Sequence, residues 1–118
     1  MIEYHGWITL FCADQNWADD DWDAARQKVL REIARFSVED GHAISFGETT
    51  NSMQTVLLNG HTDEDIKGVV RFIEFVGGIV RDSYGELVVF DEAEADLSTA
   101  ARYRLAGGRV LRCGTNGV

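Results

Sequence analysis

The chain has 118 residues, 45% hydrophobic and 26% charged, enough for one domain, 1–118, to bury about two thirds of its unfolded surface around a single core. Twenty acidic residues against eleven basic ones give a formal charge of −9, which repels nucleic acid and anionic membrane and leaves cationic or neutral partners. There is no apolar run of about eighteen residues and no basic, apolar leader, so neither a membrane span nor a secretory signal is read and a cytoplasmic location is expected.

Ile2 to Cys12 alternates Ile2, Tyr4, Ile8, Leu10 and Cys12 on one side with His5, Trp7, Thr9 and Phe11 on the other. That is the period of a strand, and apolar bulk on both faces places it centrally in a sheet, with Gly6 admitting a close neighbour. Cys12 then reads as core packing, and with Cys113 it makes two thiols expected to stay reduced in a chain without a leader.

Between Asp14 and Asp23 stand five aspartates (Asp14, Asp19, Asp20, Asp21, Asp23) and two tryptophans (Trp17, Trp22), with no basic side chain among them. From Asp19 to Val38 the apolar positions Trp22, Ala25, Val29, Ile33 and Phe36 recur at spacings of three and four, which predicts an amphipathic helix. Carboxylates in its first turn suit the helix dipole, which accounts for part of the acidic cluster, and Trp22 lies on the apolar stripe. The surplus is the chemistry of a surface meant to meet something basic, with Trp17 of the type that anchors interfaces.

Glu39-Asp40-Gly41 ends this helix, and strands are predicted around His42–Gly47 and Met53–Gly60, joined by a turn near Thr49–Ser52. Thr62-Asp63-Glu64-Asp65 resembles a capping box, with Thr62 as N-cap, opening a second helix whose buried stripe is Ile66, Val69, Val70, Ile73 and Val76 and which Gly77-Gly78 stops. Ile79 to Asp91 gives two apolar runs around Asp82-Ser83-Tyr84-Gly85, a hairpin signal. Arg109 to Arg112 could add an edge strand, in a Gly-rich end from Gly107 to Val118. Proline is absent, and the twelve glycines do the turning.

The order β-α-β-β-α-β-β implies an α+β two-layer sandwich with a mostly antiparallel sheet, two helices on one face and a split βαβ pattern. The other face would be open, showing Trp7 and Phe11. No catalytic constellation stands out: His5, His42 and His61 have no metal spacing, neither cysteine sits in a nucleophile motif, and Gly77-Gly78 and Gly107-Gly108 lack phosphate-cradling patterns. The aspartate run lacks the spaced ligands and turn glycine of a calcium loop. No cofactor, metal site or enzyme activity is therefore expected. A second acidic stretch, Asp91 to Asp96, reads as a solvated segment or an alternative contact.

Two stretches resemble the immunity protein 7 family of bacterial polymorphic toxin systems. Glu3-Tyr4-His5-Gly6-Trp7 with the alternating strand after it is similar to that family's N-terminal signature, and Tyr103-Arg104-Leu105-Ala106-Gly107-Gly108-Arg109-Val110 to its aromatic, Leu-Ala-x-Gly-basic segment near the C-terminus. The chain departs from the family's pattern after Val110, where it runs on through Cys113 to Val118 without the proline-containing stretch that members often carry. The resemblance implies a small cytoplasmic protein that binds and neutralises a cognate toxin domain. With the acidic surplus, the expected partner is basic, a nuclease being one such toxin, and the candidate contacts are Trp7, Asp14, Trp17, Asp19, Asp20, Asp21 and Asp23. The alternative is a small enzyme or ligand-binding domain using a cleft between helices and sheet.

Overall fold

A computed structural model describes residues 1–11, 19–39, 43–48, 53–63, 65–91 and 100–113. The chain runs β1 (Ile2–Phe11), α1 (Asp19–Glu39), β2 (Ala43–Glu48), β3 (Met53–Thr62), α2 (Lys67–Ile79), β4 (Tyr84–Asp91), β5 (Ala101–Ala106) and β6 (Arg109–Cys113). The strands form one sheet in the order β2-β3-β1-β4-β5-β6, and every neighbouring pair is antiparallel. This is the expected α+β sandwich. Because β1 and β2 both run antiparallel to β3, they are parallel to each other with β3 between them. In the same way β3 and β4 flank β1, so two split βαβ units interlock.

Alternation decides which face is covered. Tyr4, Ile8 and Leu10 of β1 lie on the same side of the pleat as Val56 and Leu58 of β3 and Leu87 and Val89 of β4. All of them are buried in one cluster with Trp22, Ala25, Val29 and Phe36 of α1 and Val69, Phe72, Ile73 and Val76 of α2. Full burial of each large apolar side chain contributes about 1.5–3 kcal/mol. Phe36 and Phe72 stack at 4.8 Å, which fastens the two helices together.

The central strand and β4 approach closely because two side chains are missing from their seam. A Cβ on Gly6 would stand 2.7 Å from the Glu86 carbonyl oxygen, and one on Gly85 would stand 2.2 Å from the Trp7 carbonyl oxygen. Both contacts are with backbone, which has no room to give.

Local readings of the sequence are corrected at both ends of α2. Gly77-Gly78 do not stop α2, which continues to Ile79, with the Val80 amide still bonded to the Val76 carbonyl at 2.9 Å. Gly77 is a packing residue, since a Cβ there would meet Leu105 Cδ1 at 2.7 Å and the backbone of Gly108 at 3.5 Å. Ile79 to Asp91 is accordingly not a hairpin. Ile79 and Val80 finish the helix, the buried Ser83 donates its hydroxyl to the Val80 carbonyl, and one strand, β4, follows. The hairpin at this end of the chain is β5–β6, turned by Gly107 and Gly108 at φ 58° and 76°, the pair of left-handed residues a tight hairpin turn requires. Arg109–Cys113 thus does form the edge strand. The second correction concerns the start of α2: Thr62 is the last residue of β3, and Asp65 Oδ1 accepts the Lys67 amide proton at 3.0 Å.

Gly85→Ala is expected to cost about 1–3 kcal/mol, as overpacked sites do. Gly78→Ala, with nothing within 4 Å of the added methyl, should instead stabilise by up to about 1 kcal/mol through helix propensity. Urea unfolding of the two variants beside the parent checks both signs.

Candidate functional site

The acidic cluster divides at the head of α1. Trp22 points inward and is buried, which settles it as core, while Asp21 and Asp23 on either side of it are exposed. Helical geometry makes this unavoidable, because neighbours of an inward residue are turned about 100° to either side of it. Asp19 and Asp20 are the first two residues of α1. Asp14, Trp17 and Cys12 lie outside the described residues, as do residues 92–96 of the second acidic stretch and the side chains of Asp19, Asp20 and Phe11.

Asp23 is not a bare charge. Arg26 Nη1 donates to Asp23 Oδ1 at 3.1 Å, and Arg26 Nε donates to Gln54 Oε1, also at 3.1 Å. Gln54 is one of the few buried polar side chains, on β3 beneath the helix. One guanidinium therefore fixes the acidic turn of α1 to the sheet and satisfies a carbonyl oxygen that burial has taken out of water.

The opposite side of the sheet is the open face the alternation predicted, and it carries Trp7. Register puts Leu57 of β3 directly beside Trp7, and Tyr84 of β4 meets the Trp7 ring edge-to-face at 5.9 Å. These three side chains are 39%, 48% and 41% exposed. A shallow hollow of about 420 Å³ lies alongside, lined by His5, Trp7, Leu57, Asn59, Val88 and Arg102 among others. At one border Arg102 donates to Glu86 at 3.0 Å, and at the other His5 Nε2 lies 2.9 Å from Glu3 Oε1, with His61 Nε2 at 3.9 Å from the same oxygen. Aromatic and aliphatic groups thus sit inside a polar border, the composition of an interface centre rather than of a solvated surface.

Sequence reading found Trp7 on this face but missed Leu57 and Tyr84. Leu57 is hidden in the run Val56-Leu57-Leu58, where only register separates an inward from an outward leucine, and Tyr84 stands in a stretch, Asp82-Ser83-Tyr84-Gly85, that reads as a turn. The third unforeseen feature is the sign of the charge on β5–β6: residues 101–113 include Arg102, Arg104, Arg109 and Arg112 and no acid.

Nothing comparable gathers reactive groups. Among the described residues no three His, Cys, Asp or Glu side chains converge as they would around a metal ion. Where α2 meets the sheet, between Ile73, Leu87, Leu105 and Val110, the gap holds no room for a water molecule, so that part of the helix–sheet layer offers no cleft. No helix of the described residues is long and apolar enough to cross a membrane.

A family profile described as Immunity protein 7 matches residues 1–114. The chain belongs to the immunity protein 7 family. No curated protein matches it, and no solved structure does. In this immunity protein 7 chain the two stretches that carried the resemblance take distinct structural places. Glu3 to Trp7 runs along the central strand, and Tyr103 to Val110 spans the β5–β6 turn against α2.

Arg26→Met keeps the apolar stem and removes the guanidinium, leaving Gln54 without that donor. A loss of about 1–3 kcal/mol is expected, the range for a buried polar group deprived of its partner. Equilibrium denaturation checks this, and Gln54→Leu in the same background should recover part of the loss.

Proposed function

We propose that this chain is a non-enzymatic, cytoplasmic immunity protein that binds a cognate bacterial toxin domain and neutralises it by occlusion. Membership of the immunity protein 7 family carries the reading. An immunity protein needs a toxin as partner, and the charge of −9 names the chemistry of the toxin surface it would suit. That surface is basic, as in nucleases, whose phosphate-holding groups an acidic inhibitor can occupy as a substrate mimic.

Two regions share the work in this proposal. The head of α1, with Asp19, Asp20, Asp21 and Asp23 and with Asp14 and Trp17 preceding it, supplies the carboxylates that draw the toxin in. The open face, with Trp7, Leu57 and Tyr84, supplies short-range contact of the kind that concentrates binding energy in a few aromatic residues. Charge attraction acts mainly on the rate of encounter, whereas buried aromatic contact acts on dissociation.

Co-expression with the toxin domain encoded by a neighbouring gene should restore growth that the toxin alone abolishes. Neutralising Asp19, Asp20, Asp21 and Asp23 together as Asn should weaken binding, with about 2–5 kcal/mol lost for each well-buried charge pair and much less for those at the border. Association rates measured against ionic strength should fall steeply for the parent and only weakly for the Asn variant. A quadruple variant that folds and protects like the parent would sink the acidic contact and leave the open face as the interface.

A further inference from the structure

The last strand of the sheet has properties that the acidic reading leaves unused. β6 is an edge, paired only with β5 among the described residues. Leu111, at its middle, is 64% exposed, the most exposed large apolar side chain described. Arg104 lies directly across from Leu111, while Arg109 and Arg112 stand on β6 itself. All three are exposed, and none has an ion-pair partner among the described residues, unlike Arg102, which is held by Glu86. The edge is also preformed, because the Gly107-Gly108 turn fixes the hairpin and Gly77 lets α2 pack against Leu105 and the turn.

We propose that β6 is a docking edge that takes up an extended, acidic segment of the partner protein as an added strand. Outward main-chain donors and acceptors of β6 would pair with that segment, Arg109 on the face of Leu111 and Arg112 on the other face would meet its carboxylates, and Leu111 would meet an apolar side chain between them along the strand, with Arg104 behind it on β5 adding to the positive field. Arginine on an edge also discourages indiscriminate pairing. Protection alone does not explain the exposed leucine, which invites pairing at the point where protection needs a charge. The combination selects: a second copy of β6 would bring further arginines to a seam without carboxylates, a basic strand is repelled, and an acidic strand with one apolar residue is accepted.

This rests on the proposal that the chain has a protein partner, and it refines the chemistry of that partner. A toxin domain that satisfies both regions is bipolar, basic where it meets the head of α1 and acidic along a strand that reaches β6. The chain's charge of −9 conceals this, because the four arginines of residues 101–113 stand in a segment without acids.

The test uses the whole chain and two synthetic octapeptides, one of Glu around a single central Val and one of Lys around a single central Val, with amide hydrogen exchange followed by NMR. The Glu-Val peptide at millimolar concentration should slow exchange of β6 amides by about 10-fold or more, the Lys-Val peptide should not, and R109E/R112E should reverse the preference. Equal response to both peptides, slowing elsewhere but not at β6, no slowing at all, or a β6-dependent dimer by sedimentation would each overturn the proposal. If R109E/R112E fails to fold, the two peptides still give the contrast on the unaltered chain. Growth rescue plays no part in this readout, so failure of strand docking and failure of toxin neutralisation are separate results.

Discussion

Backbone contact between β1 and β4 is the constraint on which the rest of the molecule depends. Gly6 faces the Glu86 carbonyl and Gly85 faces the Trp7 carbonyl, so each strand presents a bare Cα where the other presses closest. With β3 on its other side, β1 becomes the axis of both split βαβ units, and the two helices have a continuous apolar floor to cover. The same registration works through to the far face. It sets the Tyr84 ring beside Trp7 and Leu57 next to it, so the aromatic patch is a product of the tight pairing that builds the core.

Signals that repeat along the chain were legible, and signals that depend on distant residues were not. The stripe Trp22, Ala25, Val29, Ile33, Phe36 identified α1 and placed Trp22 in the core, because a period of 3.6 is written into one segment. Alternation did the same for β1 and for the open face with Trp7. Gly77-Gly78 misled because a glycine pair is the usual sign of a helix end, whereas here Leu105 and Gly108, nearly thirty residues away, require a helix surface without a side chain. Once the helix was cut short, Ile79-Val80 looked like a strand and Tyr84 like a turn residue, so one misreading concealed half of the aromatic patch. Thr62 reads as a helix N-cap in sequence, and its pairing with Ile2 at the end of β3 takes it into the sheet instead.

Charge is divided in this chain rather than spread. The head of α1 carries carboxylates, one of them held by Arg26, and the β5–β6 hairpin carries arginines, of which only Arg102 is ion-paired among the described residues, with Glu86. Net charge governs what an approaching molecule feels from a distance, but within a Debye length of about 8 Å the local sign takes over. The open face, on the side of the sheet away from the helices, sets the matched pair Glu86 and Arg102 beside the exposed Trp7, Leu57 and Tyr84. In the proposed complex, attraction, orientation and close contact fall to different parts of one small molecule.

The placement of β1 also sets the order in which the fold can be completed during synthesis. The strand made first has no partner until β3 emerges, roughly forty residues later, which is a wait of about 2–8 s at ordinary elongation rates. Its second partner, β4, comes later still. The β5–β6 hairpin, made last, has only local contacts to form and can close within about 1–10 μs. Growing chains therefore spend seconds with Tyr4, Ile8 and Leu10 uncovered beside the permanently outward Trp7, and the interval before Asp91 emerges is when this protein is most open to aggregation and to capture by chaperones.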